Sequence, residues 1–246
     1  MFRHKGKSRT YIHNLRLAST LSFIAGIVNI TGVLSVKVLT TNVTGHFAYF
    51  SEELVKKNYF TALVFLVYIF CFLAGAFISN LLIETVIRIK PAVAHTIPMF
   101  IEILILTITG MVGSGLTGTE GQVIACALLF AMGLQNSLVT KVSQSVVRTT
   151  HLTGLFTDLG IELSQLFFYR QEAELRRLSK SIYLKLAIIA FFFIGCVLGG
   201  FIFKTYALKT LFLAAGCLII ALYYDSIIYH YYHLKRRIRL GFILIV

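Results

Sequence analysis

Residues 40–54 read TTNVTGHFAYFSEEL, and residues 149–163 read TTHLTGLFTDLGIEL. These two segments match each other at one fixed offset along the chain. The matching positions are Thr41, Thr44, Gly45, Phe47, Glu53 and Leu54 in the first copy and Thr150, Thr153, Gly154, Phe156, Glu162 and Leu163 in the second. A duplicated polar segment in an otherwise apolar chain is typical of membrane transporters built from internal repeats, which bind substrate where the repeats meet.

A second pair of matching sequences lies upstream of the repeated segments. Gly26-Ile-Val-Asn29 precedes the first copy, and Gly133-Leu-Gln-Asn136 precedes the second. A buried amide in hydrocarbon needs a hydrogen-bond partner, and the glycines permit the close helix approach that would supply one. Asn29 and Asn136 are therefore either links between the two halves or contacts to a substrate.

The composition indicates a membrane protein. Hydrophobic residues make up 57% of the 246 residues and charged residues only 13%, whereas a soluble domain averages about half and about a quarter. Apolar windows long enough to cross roughly 30 Å of hydrocarbon occur at about 17–36, 60–83, 97–116, 121–140, 183–203 and 208–229. The sequence predicts an all-α integral membrane protein with six transmembrane helices, in which residues 1–246 form a single membrane domain.

The net charge of +13 comes from basic residues that flank these windows. They concentrate in the tails 1–16 and 230–246 and in the loops that a six-span arrangement puts on the same side. This bias places both termini in the cytoplasm. Since the basic residues do not form one face, we expect the lipid bilayer as a partner and no binding of nucleic acid.

The chain divides into two halves with three predicted spans each. Repeat 1 covers about 17–116 and repeat 2 about 121–229, and Leu73-Ala74-Gly75 in the first resembles Leu198-Gly199-Gly200 in the second. A polar insertion at 169–177 predicts a cytoplasmic amphipathic helix. An odd number of spans per repeat inverts the second half relative to the first, and inverted halves can open alternately to either side of a membrane.

Each repeated segment predicts a short helix that begins at its Thr-Gly pair. Thr44 and Thr153 suit the N-cap position, and Gly45 and Gly154 would let the backbone turn into the helix. A helix that begins near the bilayer presents unpaired N–H groups, which attract an anion or a polar ligand. The alternative is that each segment is only a capped turn.

The predicted substrate-binding site combines polar residues from both halves. Its members are Asn29, Thr41, Thr44, Gly45, Asn136, Thr150, Thr153 and Gly154. Arg148 and His46 are the nearest cationic side chains. Each is either a counter-charge for an anion or an anchor at the membrane interface.

Ionisable groups inside the predicted spans are candidates for ion coupling, because a charge there is costly without a role. Glu102 and Asp225 are these candidates, with an interfacial or capping role as the alternative. The spacing of Gly195 and Gly199 permits a tight helix contact, either within the bundle or in a homodimer. The sequence contains no catalytic motif, metal-ligand set or cofactor fingerprint in a usable context, so we expect neither an enzyme nor a bound cofactor.

Two arrangements follow each other between about residues 17 and 230. Gly-x-x-Asn is followed by Thr-Gly, and the sequence AMGLQNS at 131–137 is followed by a second Thr-x-x-Thr-Gly. In this order they resemble the YoaK-like family of bacterial inner-membrane proteins. Members commonly carry aspartate in place of Asn29 and Thr-Gly-Asn in place of Thr44-Gly45-His46. The missing acid argues against proton coupling through Asn29.

The resemblance implies a six-span protein of the bacterial inner (plasma) membrane. The family is classed as a domain of unknown function, and a permease role is sometimes attributed to it.

The sequence favours a secondary transporter, or permease, for a small polar solute, with anions among the candidates. The solute site is expected between the inverted halves. A non-transporting membrane scaffold or partner subunit is the alternative. A polar cavity where the repeats meet would favour transport, and a dry, filled seam would favour the scaffold.

Overall fold

The computed structural model describes residues 10–90, 93–112 and 119–224, and within these ranges every regular element is a helix. The elements are α1 (Tyr11–Val36), α2 (Val43–Val55), α3 (Tyr59–Ile87), α4 (Thr96–Met111), α5 (Thr119–Ser143), α6 (Leu152–Gln165), α7 (Glu172–Tyr206), a 3₁₀ turn (Ala207–Thr210) and α8 (211–224). The predicted all-α class is confirmed. Asp225 and the tail 230–246 lie outside the described residues.

Four helical stretches are long and apolar enough to cross a membrane: α1, α3, α5 and the 53-residue stretch Glu172–Tyr224. The last of these contains α7 and α8, separated by the 3₁₀ turn. Helix α4 is apolar but has only 16 residues, so at 1.5 Å per residue it spans about 24 Å. The structure thus supports a multi-pass membrane protein, while six crossings and the inversion of the halves stay predictions.

Large apolar side chains cover the outer faces of α3 and α7. Phe70 and Phe77 on α3 and Phe193 and Phe201 on α7 are all more than half exposed. Such a surface would be costly in water, and it suits contact with lipid chains.

The polar insertion predicted as a cytoplasmic amphipathic helix is helical from Glu172 onward, where it forms the first part of α7. Helix α7 begins at Glu172 and runs without a break into its apolar part. Glu172 and Arg176 form an ion pair one turn apart on this first stretch. Strong helix formers and such pairs favour extending the helix beyond the apolar region.

Helix α1 crosses α7 with the two backbones in contact. A Cβ atom at Gly26 would clash with the carbonyl oxygen of Phe192, and one at Gly195 would clash with the carbonyl oxygen of Phe23. Because a clash with backbone cannot be relieved by moving a side chain, only glycine fits at this crossing.

Helix α3 crosses α5 in the same way. A Cβ atom at Gly75 would clash with the carbonyl oxygen of Phe130, and one at Gly133 would clash with that of Phe72. Each crossing therefore joins one helix of repeat 1 to one helix of repeat 2. In all four helices the crossing glycine ends the same pattern, Phe-x-x-Gly.

The crossings correct one pairing drawn from the sequence. The residue equivalent to Gly75 is Gly195, since both occupy the crossing, and it is not Gly200. A Cβ atom at Gly199 would lie 3.1 Å from the Cα atom of Ile27 on α1. The spacing of Gly195 and Gly199 thus packs against α1 inside the bundle.

A buried amide adds a polar link between the halves. Gln135 on α5 is 1% exposed, and its Nε2 donates to the carbonyl oxygen of Leu21 on α1 at 2.9 Å. The largest apolar cluster takes residues from every helix except α2, mainly from α1, α4, α5, α7 and α8. The core therefore lies between the repeats.

Candidate functional site

The chain turns back on itself after α1. Lys37 adopts the left-handed conformation (φ 59°) at the end of the helix, and Thr41 Oγ1 donates to Asn29 Oδ1 at 3.0 Å. Asn29 lies seven residues before Val36, the last residue of α1, which is roughly 10 Å along a helix. We call residues 37–55, from this reversal to the end of α2, the first corner.

The chain turns back in the same manner after α5. Gln144 and Ser145 adopt the left-handed conformation (φ 55° and 64°). Thr150 Oγ1 donates to Asn136 Oδ1 at 2.8 Å, and Thr149 Oγ1 lies 3.4 Å from the same oxygen. We call residues 144–165, from this reversal to the end of α6, the second corner. A threonine–asparagine bond at equivalent positions thus fixes each corner to its preceding helix.

The predicted capping threonines are not the N-caps. Helix α2 is capped by Asn42, whose Oδ1 accepts a hydrogen bond from Gly45 N at 3.0 Å. Helix α6 has His151 at the cap position, with no side-chain capping bond. Asparagine is a strong N-cap residue, and Asn42 precedes Thr44 in the chain, so α2 begins before the predicted cap. Thr44 and Thr153 therefore lie in the first turn, with exposed side chains.

The glycines of the repeated segments make room for the cap side chains. Neither Gly45 nor Gly154 adopts the left-handed backbone, so the predicted sharp turn at these residues is wrong. A Cβ atom at Gly154 would clash with the ring of His151, and one at Gly45 would lie 3.2 Å from Asn42 Nδ2.

All eight residues of the predicted substrate site line one cavity of about 940 Å³. The cavity lies where the two corners face each other. Asn29, Thr41, Thr44 and Gly45 come from the first half, and Asn136, Thr150, Thr153 and Gly154 come from the second.

The polar groups of this cavity are partly free. Asn29 and Asn136 are half-buried, and each accepts from threonine through its Oδ1 atom. Within the described ranges, no hydrogen-bond partner is found for either Nδ2 atom or for the hydroxyls of Thr44 and Thr153. Two amide donors and two hydroxyls are thus available to a solute.

The structure separates the two cationic candidates. Arg148 lines the cavity, and its side chain is exposed there. His46 is 2% exposed, and its Nε2 atom is hydrogen-bonded to the carbonyl oxygen of Leu39 at 2.8 Å. Its ring packs against Phe65 and Tyr68 of α3. His46 therefore holds α2 against α3 and does not line the cavity.

Two smaller cavities adjoin the main one, and both border the second corner. One, of about 670 Å³, shares Asn136 and Thr140 with it. The other, of about 440 Å³, shares Arg148, His151, Gly154 and Thr157. The three cavities thus have wall residues of the second corner in common.

Of the two ion-coupling candidates, only Glu102 is described. It lies in α4 and is 0% exposed, and in the described part of the chain neither carboxyl oxygen has a hydrogen-bond partner. It lines none of the three cavities above. Asp225 lies outside the described residues.

Two phenylalanines at equivalent positions also line the main cavity and were missed from the sequence. Phe72 and Phe192 supply the carbonyls against which Gly133 and Gly26 pack, and both border the cavity. The Phe-x-x-Gly pattern could have identified them, because it occurs once in each crossing helix.

Comparison with known proteins gives two matches. A family model described as "Protein of unknown function (DUF1275)" matches residues 17–224. The UPF0700 transmembrane protein YoaK of Bacillus subtilis (strain 168) is 26% identical over 158 residues, which cover 63% of this chain and 70% of that protein. No solved structure matches the chain. These matches agree with the resemblance drawn from the sequence.

Proposed function

Because the chain belongs to the DUF1275 family of membrane proteins, we propose from its own geometry that it is a secondary transporter, or permease, for a small polar solute. The observation that carries this proposal is the cavity of about 940 Å³ where both repeated segments meet. Concave sites of this size with a few converging polar groups are the usual form of small-molecule sites. The chain would act as a carrier and not as an enzyme.

The cavity favours transport over the scaffold alternative. A scaffold needs filled seams between its helices, and the glycine crossings provide such seams. Between the corners, however, amide and hydroxyl groups border open space. Polar groups that border open space and have free hydrogen-bonding capacity can bind a polar solute.

The proposal includes six crossings in two inverted halves, with both termini in the cytoplasm of a bacterial inner membrane. All six predicted windows overlap helices, namely α1, α3, α4, α5, α7 and α8. In inverted halves, the two corners would reach the cavity from opposite sides of the membrane. If the two halves exchange their packing arrangements, the cavity then opens to the other side.

The topology is tested by labelling single cysteines in intact cells with a membrane-impermeant maleimide. We expect Lys57→Cys, between α2 and α3, to be labelled, and Arg88→Cys, after α3, to be labelled only after the cells are opened. Labelling of both in intact cells would contradict this topology.

Solute binding is tested by a thermal-shift screen of the purified full chain against small metabolites. A ligand at 100 times its Kd stabilises the folded state by roughly 2.7 kcal/mol. We expect at least one solute whose stabilisation falls in both Thr44→Val and Thr153→Val. These variants remove hydroxyls with no described partner, so folding should be preserved. That solute should then enter proteoliposomes that contain the protein.

Thr85→Val is the matched control, since the Thr85 hydroxyl donates to Leu81 O within α3. It should leave the ligand shift unchanged. A screen without any stabilising solute, or a shift that survives both cavity variants, would count against a solute site between the corners.

A further inference from the structure

We propose that the solute of this cavity carries an anionic group, a carboxylate, sulfonate or phosphate, which binds Arg148 at the second corner. This inference rests on the proposed solute site and adds the charge and the orientation of the solute.

Arg148 is an unsatisfied cation on the wall of a membrane cavity. Within the described ranges, no ion pair or hydrogen bond is found for its guanidinium, although it borders both the main cavity and the adjoining one of about 440 Å³. Because its side chain is exposed to the cavity, its charge is open to a solute anion. The planar guanidinium matches two oxygens of a carboxylate, sulfonate or phosphate.

Arg148 is the one arginine or lysine among the described residues that line the main cavity. The lining residues of the main cavity include no aspartate or glutamate. In the adjoining cavity Asp158 is the acidic lining residue, and Lys185 there donates to Glu162 Oε1 at 2.6 Å. The wall of the main cavity is therefore positive, which favours an anion over a cation or a zwitterion.

The first corner lacks this charge. The position equivalent to Arg148 is Leu39, directly before the repeated threonine pair. At the start of α2, Asn42 already occupies the amide of Gly45. The start of α6 has no side-chain capping bond, so its first amides can add to the attraction that Arg148 supplies. The anionic end of the solute thus faces the second corner, and its neutral polar end faces Asn29 and Thr44.

The test compares matched charged and neutral probes on the purified full chain at constant ionic strength. Succinate is paired with succinamide, and isethionate with ethylene glycol; inorganic phosphate and putrescine complete the set. Calorimetry or thermal shift gives each Kd. We expect an anion to bind more tightly than its neutral counterpart by roughly 10- to 100-fold, the range for hydrogen bonds to charged groups.

Arg148→Gln should remove that preference, and Arg148→Lys should retain part of it because the charge remains. Arg88→Gln is the control, since Arg88 is exposed at the end of α3 and lines none of the three cavities. The melting temperatures of the unliganded variants check that each one folds.

Equal binding of the neutral probes, tightest binding of putrescine, or an anion preference that survives Arg148→Gln would overturn the inference. If such binding still requires Thr44 and Thr153, the solute site stands and only its charge preference is wrong. If none of the probes binds at saturating concentration, the inference is overturned. The wider metabolite screen then shows whether the cavity binds any solute.

Discussion

The two corners have the same internal frame but are held to the bundle by different forces. In each, threonine donates to asparagine of the preceding helix, at 3.0 Å in the first corner and 2.8 Å in the second. The first corner is held against α3 by aromatic rings. The second is held against α7 by an ion pair and a smaller apolar contact.

The aromatic contacts of the first corner are extensive. Tyr49 stacks on Phe65 with ring centroids 5.3 Å apart, and His46 lies 5.6 Å from Tyr68. In the second corner, Lys185 Nζ and Ser181 Oγ both donate to Glu162 Oε1. The two corners thus have equivalent bonds that shape the cavity, while different side chains around these bonds give the two ends of the cavity different polarity.

The largest expected effect concerns the crossings that both halves share. Gly75→Ala and Gly195→Ala should each lower the free energy of unfolding by about 3 kcal/mol, because the added methyl group meets a backbone carbonyl. Thermal unfolding in detergent measures the loss. Gly200→Ala, where a Cβ atom would lie 3.5 Å from Ile30 Cγ1, should fold normally. Sensitivity at only one crossing would show that the halves are not equivalent.

The next effect separates the corners. Lys185 and Glu162 side chains are only 13% and 18% exposed, so Lys185→Met leaves a poorly solvated carboxylate and should cost roughly 2 kcal/mol. Hydrogen exchange in α6 should increase. In the first corner, Lys56→Met removes ion pairs with the exposed Glu52 and with Glu53. Because Glu53 keeps a hydrogen bond from Asn58 Nδ2 at 2.8 Å, the loss of stability and the rise in exchange should both be smaller there. Equal responses would remove the distinction between the two anchors.

Much of the fold was predictable because apolar length and periodicity determine which segments become membrane helices. The windows at 17–36 and 60–83 fall within α1 and α3. The continuity of α7 was not predictable from hydropathy, since Glu172 to Arg177 is polar. There the helix is maintained by propensity and i,i+4 pairing instead of burial.

The site was predictable only where the two halves agree. Recurrence in both halves identified the eight residues, because both copies occupy equivalent positions in the two corners. The roles of His46 and Arg148 depend on their surroundings in the fold. His46 packs against Phe65 and Tyr68, whereas Arg148 borders the open space between the corners. Those contacts are distant in sequence, and no local pattern encodes them.

A smaller effect tests the shared frame. Thr41→Val and Thr150→Val each remove one hydroxyl and one hydrogen bond to asparagine, at a cost of about 1 kcal/mol. Chemical or thermal unfolding should show similar losses for the two variants. Thr85→Val, which removes only a bond within its own helix, should be near neutral. A loss in one half alone would contradict the equivalence of the two bonds.

The smallest effect is a difference in pH response. Burial lowers the pKa of His46, against the opposing effect of its bond to Leu39. The unfolded chain therefore binds more protons than the folded one below about pH 6.5, and stability falls as pH falls through that range. The protection factors of the α2 amides, which correct for the slower intrinsic exchange at lower pH, should fall on acidification in the wild type. In His46→Leu, which mimics Leu155 of the second corner, this response should be absent.

Cross-linking of Thr44→Cys to Thr153→Cys, in a chain whose native cysteines are replaced by serine, tests whether the corners meet across one cavity. A short bifunctional maleimide should join the two positions efficiently within a single chain. Thr44→Cys with Ser164→Cys, at the far end of α6 by roughly 16 Å, should not be joined. Failure of the first pair to cross-link, with both cysteines separately reactive, would show that the corners lie apart and that no shared solute site exists.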